Sequence, residues 1–256
     1  DSMSQTLRDL LAAGADDSTA LTAPGGVALT FGALRALVAD TVATLNALGI
    51  GRNDRVGIVL PNGPEMATAF IAVASGATSA PLNPAYRADE FEFYLSDLGA
   101  KALVVDAGST SPAIGVARKL GVRIVELHPH PERGAGSFEL RDTSGAAAAS
   151  PAHGGFAQPD DVALVLHTSG TTSRPKIVPL SQRNVCASAR NIREFLRLSS
   201  TDRGLNIMPL FHIHGLIAGV LAPLSAGGQV CCTPGFNALK FFGWMEEARP
   251  TWYTAV

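Results

Sequence analysis

The chain is short of several things that would set its class. It has three cysteines in 256 residues, Cys186, Cys231 and Cys232, too few for a disulfide framework. The last two are adjacent in an apolar run and read as core residues, which points to a reducing, cytoplasmic compartment. Aromatics make up only 6%, and the net charge is −2. Neither a base-stacking platform nor the basic excess of a nucleic-acid surface is there. Charged residues are 16%, somewhat few. No apolar run reaches the length of a membrane span, and the start lacks a basic-then-apolar leader pattern.

Core formers are plentiful: 46% of the residues are hydrophobic, so a sizeable buried core is expected. The first half alternates two patterns. Thr30 precedes an apolar stripe at three-and-four spacing from Leu34 to Leu48, and Gly49 ends it as a left-handed C-terminal glycine does. "RVGIVLP" (Arg55 to Pro61) is a buried-strand run, after which Asn62 and Pro64 open a helix. "TSAPLNP" reads as strand and turn, and "RADEFEFYLSDLG" as a helix with acids in its first turn. A strand "ALVVD", a helix from Ser111 to Leu120 and a strand from Val122 to Leu127 follow. This order implies an α/β fold with largely parallel sheets flanked by helices.

Residues 128–160 are rich in Gly, Pro, Ala and Ser and read as a linker or excursion between a first β/α subdomain (1–127) and the start of a second (161–256). The second half opens on the apolar strand Val162 to Leu166. "IVPL" is strand-like, and Ser181 caps a helix with the stripe Val185, Ala189, Ile192 and Leu196. At its end Trp252 to Val256 is a strand pattern that follows a helix holding Phe241, Phe242 and Met245.

Between the strands "VALVL" and "IVPL" lies "HTSGTTSRPK". Thr168, Ser169, Thr171, Thr172 and Ser173 offer hydroxyl donors, and Gly170 lets the backbone come close. Successive N–H groups in a tight turn form an anion-binding concavity. Lys176 adds a point charge on a flexible stem, with Pro175 stiffening its base. The spacing suits a polyphosphate, against the plainer alternative of a surface turn with an incidental lysine. It is not the P-loop, which needs Gly-Lys-Ser/Thr opening a helix. His212 and His214 would share a side if their segment is extended. They read as packing residues or ligands, but no further Cys/His cluster completes a zinc site. His128 and His130, in a Pro-rich stretch, are expected at the surface.

The run "HTSGTTSRPKIVPLSQRN" closely resembles the signature loop of the adenylate-forming enzymes: acyl-CoA synthetases, luciferases and nonribosomal peptide adenylation domains. It departs from their pattern at Ser173 and Ile177, where glycine is usual. The stretch from Leu29 to Val105 and "MPLFHIHGL" (Met208 to Leu216) are similar to the same family, the latter to its acyl-pocket motif. "APLNPAY", "EFEFYLSD" and "TWYTAV" look most like oxalate–CoA ligases.

The resemblance implies the N-terminal portion of that family's large domain, with the later part of the enzyme missing from the 256 residues and the stretch alone inactive. It implies an ATP-dependent carboxylate–CoA ligase acting through an acyl-adenylate on a small carboxylic acid such as oxalate, with ATP, Mg²⁺ and coenzyme A. Thr168 to Ser173 and Lys176 would hold the phosphates, Thr172 would touch Mg²⁺, and Lys176 and His212 would be catalytic. His212, His214 and Gly215 would line the acid site, where two histidines favour a short polar acid and Gly215 leaves room for its chain. Loading of a carrier-protein thiol and a non-catalytic nucleotide- or acyl-binding module are the alternatives.

Overall fold

A computed structural model describes residues 3–145, 149–168 and 174–255. A short helix α1 (Leu7–Leu10) leads into β1 (Thr19–Thr22) and β2 (Leu29–Thr30). Helix α2 (Phe31–Ala47) follows, with Thr30 Oγ1 accepting from the Ala33 amide at 3.1 Å and Gly49 at φ 80°. Then β3 (Arg55–Val59), α3 (Pro64–Ala74), β4 (Thr78–Pro81), α4 (Ala88–Leu98), β5 (Ala102–Asp106), α5 (Pro112–Leu120) and β6 (Arg123–Pro129) realise the expected alternation. The chain continues through β7 (Phe138–Asp142), β8 (Val162–His167), β9 (Ile177–Ser181), α6 (Gln182–Phe195) and β10 (Arg203–Asn206). A π-helical segment (His214–Leu221) runs into α7 (Ala222–Ser225), before β11 (Gln229–Cys232), α8 (Phe241–Ala248) and β12 (Trp252–Thr254).

Two sheets form. The larger has the order β7-β6-β5-β3-β4-β8-β9, parallel except for its two edge strands. The smaller has the order β12-β10-β11-β1-β2, parallel except for β2. Each sheet draws strands from both halves of the chain, so the sheets do not divide at 128–160. That excursion holds β7, where Phe138 and Leu140 are buried while Glu139 and Arg141 are exposed. This two-residue alternation was hidden between Gly- and Pro-rich flanks. Because β7 folds back on β6, His128 and His130 are partly covered rather than free at the surface; His130 stands between Glu132 and Glu139.

Helix α3 is the central element. Every residue from Met66 to Ala74 is buried, as a helix apolar all round must be. It packs in the main core with α2 and residues of both sheets. A second core fills the space between α4, α5 and the other face of the larger sheet. The stripe of α6 is as expected except at Leu196, which lies beyond the helix end and is 44% exposed. Arg52 ties the two halves: its Nε donates to Asp161 Oδ2 at 2.7 Å, just ahead of β8.

Candidate active site

Strands β8 and β9 pair antiparallel, so the segment expected to hold phosphates runs from strand to strand. Thr168 and Lys176 face each other at its root. The Thr168 amide donates to the Lys176 carbonyl at 2.9 Å, and the Lys176 amide donates to Thr168 Oγ1 at 3.2 Å. Ser169, Gly170, Thr171, Thr172 and Ser173 lie outside the described residues. Lys176 is exposed, and no acid pairs with its ammonium among the described residues.

The segment with the two histidines is not extended. His212 sits in a turn whose amide donates to the Pro209 carbonyl at 3.4 Å, and the chain is helical from His214. The shared side expected of the pair rested on a strand, so it does not hold. Gly215 is buried, and a Cβ there would stand 2.6 Å from the Pro209 carbonyl oxygen. Its smallness serves the approach of helix to turn. Gly219 does the same against Asn206 Oδ1, also at 2.6 Å.

Asn62, just after β3, staples this turn. Its Nδ2 donates to the Met208 and Thr233 carbonyls at 3.3 and 3.2 Å, and its Oδ1 accepts from the Leu210 amide at 2.7 Å. Buried Asn206 adds a bond from its Nδ2 to the Met208 carbonyl at 3.2 Å. The sequence signal for Asn62 was only its place between a buried strand and a helix-opening proline.

Two cavities meet at Phe211 and His212. One, of about 960 Å³, is bordered mainly by apolar side chains, among them Met66, Met208, Phe236, Phe241 and Phe242. The other, of about 210 Å³, is bordered by Asn83, Tyr86, Tyr94, His167 and Thr168. The hairpin root and His212 therefore open on one cleft. His214 and Gly215 border neither cavity.

His167 went unnoticed in the sequence because it reads as the end of a buried strand. Its Nε2 lies 3.1 Å from Asp97 Oδ2, and its ring stands edge-on to Tyr94 at 4.6 Å between centroids. Burial pulls its basicity below the ordinary histidine value, with Asp97 opposing. Burial also raises the Tyr86 phenol, helped by Tyr94, so that it stays protonated at neutral pH. The cysteines are no nucleophiles: all three are buried, and desolvation pushes the Cys186 thiol up to about 12. Among the described residues no group of three or more His, Cys, Asp or Glu side chains could hold a metal ion. Thr172, the expected Mg²⁺ contact, is outside them.

A family model described as AMP-binding enzyme matches residues 10–256. The chain belongs to that family. Within the AMP-binding enzymes it is 40% identical to a probable CoA ligase, CCL9, of Humulus lupulus, over 98% of this chain and 49% of the relative. It is likewise 40% identical to the oxalate–CoA ligase of Arabidopsis thaliana, over 94% and 47%. Among solved structures, ATP-bound MatB from Rhodopseudomonas palustris superposes with a TM-score of 0.78 at 26% identity, covering 96% of this chain and 48% of that one. The chain thus spans about half the length of the relatives it matches. The AMP-binding assignment accords with the α/β architecture. No helix among the described residues is long and apolar enough to cross a membrane.

Proposed function

We propose that the protein to which this stretch belongs is an ATP-dependent carboxylate–CoA ligase. The acid's oxygen attacks the α-phosphorus of ATP, the bond to the β-phosphate breaks and pyrophosphate leaves. The thiol sulfur of coenzyme A then attacks the acyl carbonyl and AMP departs. One observation carries this reading: Thr168, at the root of the hydroxyl-rich hairpin, and His212, in the acyl-pocket motif, border the same cleft. Lys176, exposed at the hairpin root, would meet the charge of the leaving phosphates, and preorganised donors to such charge give much of the catalysis. His212 can donate a hydrogen bond to the acid. Mg²⁺ and the rest of the nucleotide contacts would come from outside the described residues.

A short polar acid such as oxalate is the substrate we favour, supported by the 40% identity to the Arabidopsis oxalate–CoA ligase and 36% to that of Saccharomyces cerevisiae. The large cavity beside His212 favours a second reading, a bulkier apolar acid, because its border is mostly apolar. Full-length protein assayed with ATP and coenzyme A against oxalate, malonate and a series of straight-chain acids separates them. Highest kcat/KM on oxalate supports the first reading; highest kcat/KM on a long-chain acid replaces it with the second. No acyl-CoA from any acid removes the ligase reading.

A further inference from the structure

Strand β8 pairs with β4 where Ser79 faces Leu164, and the strand then runs on past that pairing to His167. On its other side it has only β9, which is itself an edge strand. The end of the hairpin is therefore held to the body of the fold by side chains. His167 is the last of them before Thr168. Its side chain is 7% exposed. It reaches α4 through Asp97 at 3.1 Å and through the edge-on contact with Tyr94, which in turn stacks on Tyr86 at 4.8 Å.

We propose that His167 is a positioning residue: clasped by Asp97 and Tyr94 of α4, it sets where Thr168, and with it Lys176, stands at the cleft that His212 borders. The Asp97 carboxylate oxygen accepts, so Nε2 is the donor. A nearly buried imidazole held on one edge by a charged acceptor and packed on a ring has little rotational freedom. One residue on, the Thr168 backbone and hydroxyl both bond Lys176, so the clasp reaches the lysine through a single pair of hydrogen bonds. A displaced loop meets the phosphates off target, and small misplacements weaken binding and catalysis steeply.

This role rests on the adenylation reading, so the test has two arms, both on the full-length protein. The first is acid-dependent exchange of labelled pyrophosphate into ATP. His167→Phe keeps the ring packing and loses the donor; it should raise KM for ATP about tenfold, the loss of one charge-assisted hydrogen bond, with kcat changed less. Asp97→Ala should match it, and the double variant should be no worse than the poorer single. His167→Gln, which can place an amide N–H near Nε2, should recover most of the loss. KM within about twofold of wild type in both single variants, or fully additive effects, overturns the proposal.

The second arm needs no turnover: hydrogen exchange of the 168–176 amides in the unliganded protein. His167→Phe and Asp97→Ala should speed exchange in that segment and leave α2 and α3 unchanged. Unaltered exchange there overturns the anchoring. If wild type shows no pyrophosphate exchange with any acid, the adenylation reading falls and this arm alone decides whether the clasp exists. Asp97 is 39% exposed, so its variant should fold even where a substitution at His167 does not.

Discussion

Thr168 and Lys176 bond each other twice across the hairpin root, backbone to backbone at 2.9 Å and Lys176 amide to Thr168 hydroxyl at 3.2 Å. The hydroxyl that reads as a phosphate donor in the sequence is thus partly engaged in shaping the turn. Both bonds use the Lys176 backbone and leave its exposed side chain out of them.

Lys176→Ala in the full-length protein should slow adenylation by roughly a hundredfold or more, the loss of one preorganised group on developing charge. Pyrophosphate exchange at saturating ATP reads it. An unchanged rate removes Lys176 from the chemistry. Thr168→Ala should act both on this rate and on hairpin geometry, so it is the less clean probe.

The two histidines should separate. His212 borders both cavities, while His214 borders neither. His212→Ala should lower kcat/KM for the acid on the order of tenfold or more, the scale of a lost hydrogen bond to a charged group. His214→Ala should leave it within about twofold. Equal losses in steady-state assays would put both residues at the acid.

Gly215→Ala tests packing rather than chemistry. A methyl group would meet the Pro209 carbonyl at 2.6 Å, so turn and helix must part. Overpacking of this kind costs about 1–3 kcal/mol. Urea denaturation should show that loss, and acid turnover should fall with it because the displaced turn carries His212.

Asp161 sets an acid limit. Burial pushes its carboxyl up, but hydrogen bonds from Arg52, the Gln158 amide and Asn53 together outweigh that and hold it below the usual range. With the folded value depressed, its contribution is complete above the unfolded carboxylate range near pH 4 and is lost as pH falls through the folded value. Asp161→Asn should cost roughly 1.5–3 kcal/mol at neutral pH. The two proteins should converge in stability as the pH drops below about 4, as unfolding followed by circular dichroism would record.

Much of the fold was legible because local rules and burial agree. Thr30 and Gly49 bracket α2, Pro64 opens α3, and Ser181 caps α6, each for a reason contained within a few residues. Strand β7 was not, since Gly and Pro on either side mask a five-residue alternation. The histidine pair was not legible either, because period two holds only for a strand and this stretch turns and then coils.

By itself the sequence determined most of the helices and strands and their order, since these follow from spacing and capping. Only the tertiary structure decided that strands from both halves interleave into two sheets. It also brought Asn62 to the His212 turn and joined His167 to Asp97 across 70 residues. Those choices are made by burial of α3 on all sides and by long-range pairing, whose energies belong to surfaces that meet only after the chain has closed on itself.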